Sequence, residues 1–250
     1  GRSRKVFLVA ATLAARNTTR YRARHLVELL GDDVPVLVDW RVPPDDFFPE
    51  VASGAIVILQ RLALTGDTSA FVHRVRAAAR TIAYDIDDQI FDANDLEDWR
   101  VRGLDASPSD YARCMALADQ FLVSTAALRD KVERRFRKPA HVLTNGLGAE
   151  TVARSRAVAD RSAAEGPFIV GYASGSHTHE ADLAVALPAV ERFLRANPDA
   201  EFHCIGRMDQ PEARRALFGE RVRYRKAVPW PDLPGELARF SVQIVPLADV

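Results

Sequence analysis

Short apolar runs alternate with helix-period patterns along almost the whole chain. Val6–Ala11 reads as a strand. A helix pattern follows from about Thr18 to Leu30, with Leu26, Leu29 and Leu30 on one face. Val34–Val38 and Ala55–Leu59 are the next strands, then a helix over Ser69–Ala79. Thr81–Ile86 reads as a strand, Tyr111–Ala118 as a helix, Phe121–Ser124 as a strand, Ala126–Phe136 as a helix and Ala140–Leu143 as a strand. The strand runs are continuously apolar rather than alternating, as a parallel sheet covered on both faces requires. Strand–helix alternation implies βαβ units and doubly wound parallel sheets, an α/β fold.

The rhythm breaks between about Gly148 and Gly166, a stretch rich in Ala, Arg and Ser. It is expected to connect two domains and to be partly helical. A second βα series then starts: strand Phe168–Ala173, helix Glu180–Ala196, strand Glu201–Ile205, helix Glu212–Phe218, strand Val222–Val228, helix Leu233–Phe240 and strand Val242–Leu247. The expected organisation is two Rossmann-like domains, over residues 1–150 and 167–250, joined by a connection over 151–166. The chain opens without Met and ends inside an apolar run, so the second domain is expected to be incomplete.

Composition narrows the picture. The formal net charge is +0 with 27% charged residues, which gives no bulk-charge reason to expect nucleic-acid binding. The basic run Arg134–Lys138 reads as a solvated helix end. No apolar stretch reaches the roughly 20 residues of a transmembrane helix, which leaves room for peripheral membrane contact only. The two cysteines, Cys114 and Cys204, lie far apart without metal-ligand neighbours and read as core thiols, which fits a reducing cytoplasm.

In an open α/β sheet, ligands bind beyond the carboxyl ends of the strands, so polar residues just after the apolar runs are the candidates. Gly171-Tyr172-Ala173-Ser174-Gly175-Ser176 with Thr178-His179 combines small residues with a helix start, the chemistry of a diphosphate site. An ordinary capped turn is the plain alternative. Tyr84–Asp92 gathers Asp85, Asp87, Asp88 and Asp92, which could act as acid or base, hold a metal or bind hydroxyls, or merely cap and turn the chain. Arg20 and Arg22 after the first strand could reach a phosphate or carboxylate. Asn145-Gly146 is a turn placed to line a cleft. His203, in mid-strand, reads as a satisfied core residue, and Arg207 as a candidate basic contact.

In order, these segments resemble the group 1 glycosyltransferases, glycosyltransferase family 4 or a close relative with the GT-B fold. The stretches that carry the likeness are Thr18–Arg22, Tyr84–Asp88, Leu122–Thr125, Val142–Gly146, Gly171–Ser176 with Thr178-His179, Val228–Trp230, Leu233-Pro234 and Val245–Leu247. The resemblance implies a retaining, hexosyltransferase-type transfer from a nucleotide-diphosphate sugar to a hydroxyl of a saccharide or glycoconjugate acceptor, without a metal or other cofactor, in polysaccharide or glycoconjugate synthesis. Carried over, Ser174, Gly175, Ser176, His179 and Arg207 would face the donor diphosphate. Arg20, Arg22, Asp88, Asn145 and Gly146 would line the acceptor side, with Asp85 and Asp87 as catalytic candidates. The family's later basic residue and glutamate pair find no counterpart before Val250. Three rivals stand beside this reading. One is a non-catalytic sugar-nucleotide-binding module. Another is a metal-dependent, single-domain transferase with Asp85 and Asp87 as ligands, which the second βα series argues against. The third is a haloacid-dehalogenase-type phosphatase in which Asp85 attacks phosphorus and Asp87 is acid/base, although Gln89 stands where that family has Thr or Val.

Overall fold

The structure, a computed structural model, describes residues 5–10, 19–30, 36–92, 105–159, 166–175, 180–206 and 216–247. The chain divides into two compact units, Gly1–Ala149 and Glu150–Val250.

The first unit runs β1 (Val6–Ala10), a π-type turn Arg20–Arg24 continuing as α1 (His25–Leu30), β2 (Val36–Asp39), α2 (Phe47–Ala52), β3 (Ile56–Gln60), α3 (Gly66–Ala78), β4 (Thr81–Ile86), α4 (Pro108–Ala116), β5 (Gln120–Val123), α5 (Ala126–Phe136) and β6 (Ala140–Val142). Its six strands form one sheet in the order β2-β1-β3-β4-β5-β6, every pairing parallel. The apolar runs reappear as two-sided strands. In β3, Val57 and Leu59 join the larger core with Ile82, Tyr84, Phe121 and Val123, while Ile58 faces the other way with Leu8, Ala10, Ala23 and Ala83. Helix starts follow local chemistry. Thr65 and Thr68 form a capping box at α3, and Ser107 and Asp110 form another at α4, with Pro108 in its first turn. Thr125 accepts from the Leu128 N–H at α5.

The boundary falls at the start of α6 (Ala149–Ala159), and the second unit continues with β7 (Ile169–Ser174), α7 (Glu180–Ala196), β8 (Glu201–Gly206), a 3-10 turn Gly219–Arg221, β9 (Val222–Arg225), α8 (Leu233–Leu237) and β10 (Val242–Gln243). Its sheet has the order β10-β7-β8-β9, again all parallel. Leu183, Leu187, Val190 and Leu194 of α7, one face of a 3.6-residue period, pack on Val170, Tyr172, Phe202 and Cys204. The doubly wound parallel architecture therefore holds in both units. Among the described residues, no helix is long and apolar enough to cross a membrane.

Several elements depart from expectation. The pattern misses α2, where Pro49 lies inside the helix and Phe47 is fully buried against Phe7, Phe48 and Phe71. The 148–166 stretch is partly helical as expected: it holds α6, which has no buried residue. β9 stops at Arg225 and β10 spans only two residues. The side chains of Leu26, Leu29 and Leu30, and the start of the expected Glu212–Phe218 helix, lie outside the described residues. Cys114 and Cys204 are buried, and burial pushes the Cys114 thiol up to about 12. His203 is buried with its Nε2 2.6 Å from Glu201 Oε2. Arg137 closes α5 in the left-handed conformation, and Lys138 bonds the carbonyls of Ala116 and Ala118, so the basic run is a helix end.

Gly206, at the end of β8, has φ +133 and is paired with Ser174. A Cβ there would stand 1.8 Å from the Ser174 carbonyl oxygen, a backbone atom that has no way to yield. Gly206→Ala should cost about 1–3 kcal/mol in denaturant unfolding. Gly235→Ala, within α8 and with nothing near its Cβ, should be neutral or stabilising by about 0.5–1 kcal/mol. Equal effects would refute this account of Gly206.

Candidate functional site

In each sheet the chain reverses its direction of strand addition at one place, and the crevice outside the carboxyl ends there is where open α/β folds bind ligands. In the first unit β1 is flanked by β2 and β3, so the reversal lies between β1 and β3. In the second unit β7 is flanked by β8 and β10. The relevant strand ends are therefore Gln60, with Asp85 paired beside it, and Ser174.

Three distant segments meet at the first end through Arg22. The π-type turn tucks Arg22 under the surface, with its side chain 1% exposed. Its Nε lies 3.1 Å from Asp85 Oδ1 and its Nη2 2.5 Å from Asp85 Oδ2, a bidentate fork. Nη1 donates to the Leu143 carbonyl and, at 3.2 Å, to Asn145 Oδ1. His25, one turn on, places Nδ1 2.8 Å from the Gly146 carbonyl oxygen. Arg20, on the same turn, is buried as well.

A second guanidinium organises the rim. Arg61 follows β3 with φ 48, a left-handed conformation that costs a residue with a side chain of order 1–3 kcal/mol. Its N–H bonds the Asp85 carbonyl at 3.0 Å. Its Nη1 lies 3.2 Å from Asp87 Oδ1 and 2.9 Å from Asp88 Oδ2. Ser124 Oγ donates to the Asp87 carbonyl at 2.8 Å, tying the end of β5 to the same loop. Asp87 keeps 11% of its side chain exposed and Asp88 64%, so the rim presents carboxylates outward while Asp85 lies beneath.

Burial dominates the electrostatics. It pushes the Asp85 carboxyl up to about 6, against the hydrogen bonds and charge of Arg22, so the pair is ionised at neutral pH. Asp87 is raised first by burial and then by Asp88, with Arg61 pulling the other way. At this strand end both amide atoms of Gln60, and His25 Nε2, are buried with no hydrogen-bond partner among the described residues. Asp85 is 1% exposed and both its oxygens face one guanidinium, which suits orientation rather than nucleophilic attack. Gln89 Oε1 accepts from Lys131.

At the second unit's strand end, Ser174 is buried and its hydroxyl is hydrogen-bonded to Tyr172. Gly175, next in the chain, is exposed. The first turn of α7 carries Glu180 and Asp182, which already answer the helix dipole. Gly171 serves packing, because a Cβ there would stand 2.0 Å from the Phe240 ring. Ser176, His179 and Arg207 lie outside the described residues.

The structure thus gathers Arg22, Asp85, Asn145 and Gly146 in one network, and Asp87 with Asp88 in an adjoining one. His25, Gln60, Arg61 and Ser124 were not singled out as site residues from sequence. Gln60-Arg61 directly follows an apolar run, the same signal that flagged Asp85. His25 lies three residues after Arg22, on the same side of a helix.

No family model matches the sequence, and no curated protein matches it. Solved structures share its fold. An α-glucosyltransferase in complex with UDP and a 13-mer DNA containing an HMU base aligns with 96% of this chain and 71% of its own, at TM-score 0.56 and 8% identity. S. aureus MnaA, in a co-structure with UDP, aligns over 96% of this chain and 73% of its own, at TM-score 0.53 and 11% identity. Against the glycosylation-associated Gap123 complex from Streptococcus agalactiae, 80% of this chain aligns at TM-score 0.44 and 13% identity, and it spans 40% of that chain. The two helix-interleaved parallel sheets match the Rossmann-like domains of the GT-B fold.

Arg22→Met should cost about 3–5 kcal/mol in unfolding free energy, since it strands a buried carboxylate. Adding Asp85→Asn should recover a substantial part. A double variant no more stable than the single one would show that the pair is not the source of the loss. Between about pH 4 and pH 6, folded Asp85 retains a proton that the unfolded carboxyl, near 3.8, has released. The folded state then binds more protons, so this group's contribution to stability falls as pH rises through that window. Denaturant titrations should show a steeper decline for the parent than for Asp85→Asn, and a parent curve that climbs relative to the variant would contradict the assignment.

Proposed function

We propose that the chain is the sugar-nucleotide-using portion of a GT-B glycosyltransferase. It moves a hexose, with retention, from a nucleotide-diphosphate sugar to a hydroxyl of a saccharide or glycoconjugate acceptor, in polysaccharide or glycoconjugate synthesis. The observation that carries this reading is that the candidate residues lie at the two strand ends where the sheets reverse: Arg22, Gln60, Arg61 and Asp85 in one unit, Ser174-Gly175 in the other. The family resemblance and the shared fold support the same reaction class, and the two best-superposed neighbours above were each solved with UDP.

On this reading the donor diphosphate meets the backbone N–H of the exposed Gly175 at the end of β7. Fixed amide dipoles aimed at the leaving diphosphate lower the barrier by opposing the charge that develops there. The sugar passes through an oxocarbenium-like state, as in glycoside hydrolysis, with the acceptor hydroxyl in place of water. Asp87 and Asp88, partly exposed beside Arg61, accept hydrogen bonds from acceptor hydroxyls. Asp85 acts through Arg22, holding the 143–146 loop in place, and is a positioning residue. The buried thiols Cys114 and Cys204 support a cytoplasmic setting. The phosphatase alternative asks Asp85 for an in-line attack, which its bidentate partner and burial oppose.

Isothermal titration of the chain with nucleotide-diphosphate hexoses of each base tests the proposal. One of them should bind saturably. Gly175→Asp, which sets a carboxylate against the diphosphate, should weaken it by about tenfold or more without changing the unfolding midpoint. Unaltered affinity in Gly175→Asp would remove the donor assignment. Mg²⁺-dependent phosphoester hydrolysis that disappears in Asp85→Asn would replace the function altogether.

A further inference from the structure

The second unit contains a cavity of about 240 Å³ between β8, β9 and α8 that the transfer chemistry does not use. It lies on the sheet face opposite α7. Residues 202 and 204 pack under α7, and the alternate residues His203 and Ile205 line the cavity. Arg223 and Arg225 reach it from β9, and Arg239 and Phe240 from the segment just after α8. The Phe240 ring lies against Gly171 of β7, where a Cβ would come within 2.0 Å of it, so the aromatic floor is fixed by backbone.

We propose that this cavity binds a phosphomonoester carrying a group of about sugar size, with the phosphoryl oxygens on Arg223, Arg225 and Arg239. The guanidiniums are half-exposed, at 50%, 47% and 58%, and each retains N–H donors. Arg223 gives Nε to the Glu220 carbonyl at 3.1 Å and Nη2 to Glu201 at 3.1 Å. Arg225 gives Nη1 to Glu236. Arg239 comes only to 3.9 Å of Glu236, beyond hydrogen-bond reach. The carboxylates of Glu201 and Glu236, 15% and 18% exposed, therefore brace the arginines from beneath without exhausting them.

Charge selects the ligand class. Three guanidiniums against two carboxylates leave one net positive charge, with His203 kept from protonating chiefly by burial. A planar carboxylate ligand would be satisfied by one fork, whereas a dianionic phosphoryl group offers peripheral oxygens to several. Size selects the rest. At about 30 Å³ per water the cavity holds roughly eight water volumes, more than a phosphoryl group occupies. The remaining wall, Ile205 and Phe240, offers the apolar and aromatic faces that a sugar ring packs on.

Isothermal titration of the full chain with inorganic phosphate, a hexose 6-phosphate and the free hexose tests this. The expected order is hexose phosphate tightest, phosphate weaker and free hexose undetectable. Arg239→Gln and Arg225→Gln should each weaken the hexose phosphate by about tenfold, the loss of one charge-assisted contact. Gly175→Asp should leave its affinity unchanged, which separates this cavity from the proposed donor site and lets either assignment fail alone. No saturable binding of either phosphate, equal binding of the free hexose, or affinity untouched by both arginine variants would overturn the proposal. Loss of binding in Gly175→Asp would move the ligand to the other strand end and overturn it too.

Discussion

The buried pair of Arg22 and Asp85 sets the geometry of the carboxyl edge of the first unit's sheet. One guanidinium touches β4, the loop after β6 and, through its own turn, the chain leaving β1. Two ions taken out of water cost several kcal/mol each before their attraction and hydrogen bonds repay it. The arrangement therefore survives only with its bidentate contacts and its Leu143 carbonyl acceptor in place. Such a pair is a weak source of net stability, but a strong constraint on where the 143–146 loop and the Asp87-Asp88 rim can lie.

Parallel topology explains why polar groups accumulate there. Every strand points its carboxyl end to the same edge, so residues far apart in sequence arrive together. Asp85 and Arg22 are 63 residues apart, and Arg22 and Asn145 are 123 apart. The centre of the sheet is apolar on both faces, and a polar side chain is tolerable only where a strand runs out. Gln60 marks that boundary. It is buried beside Asp85 with neither amide atom bonded among the described residues, and Arg61 immediately after it adopts a strained backbone. Uncompensated polarity and strain in adjacent residues are the features expected of a surface shaped for a ligand rather than for stability.

The strand–helix alternation was readable because its signal is local. Thr81–Ile86, Ala126–Phe136 and Glu180–Ala196 coincide with the observed β4, α5 and α7, the last despite Pro188 within it. α2 escaped because its anchor, Phe47, is recognised by aromatic neighbours on β1 and α3 rather than by its own period. α6 was legible only as a partly helical stretch without bounds, because it buries nothing. At the site, the aspartates, Arg22 and Asn145 were visible as polar residues after apolar runs. Their pairing was not, since nothing local says which arginine meets Asp85 and which meets Asp87. The glycine-serine segment shows the opposite case. Its composition suggested hydroxyls facing a phosphate, but of its residues the structure shows only that Ser174 is buried, Gly175 exposed and Gly171 packed against Phe240.

In the proposed reaction the carboxyl edge of the first unit's sheet meets the acceptor of sugar transfer. Hydrogen–deuterium exchange of the chain with a nucleotide-diphosphate hexose and an oligosaccharide, each alone and together, measures this most directly. Slower exchange at amides 86–89 and 143–147 when the oligosaccharide is added, with the interior of β3 and β4 unchanged, is the predicted result. Protection confined to other surfaces, or none at either segment with both ligands present, would contradict it.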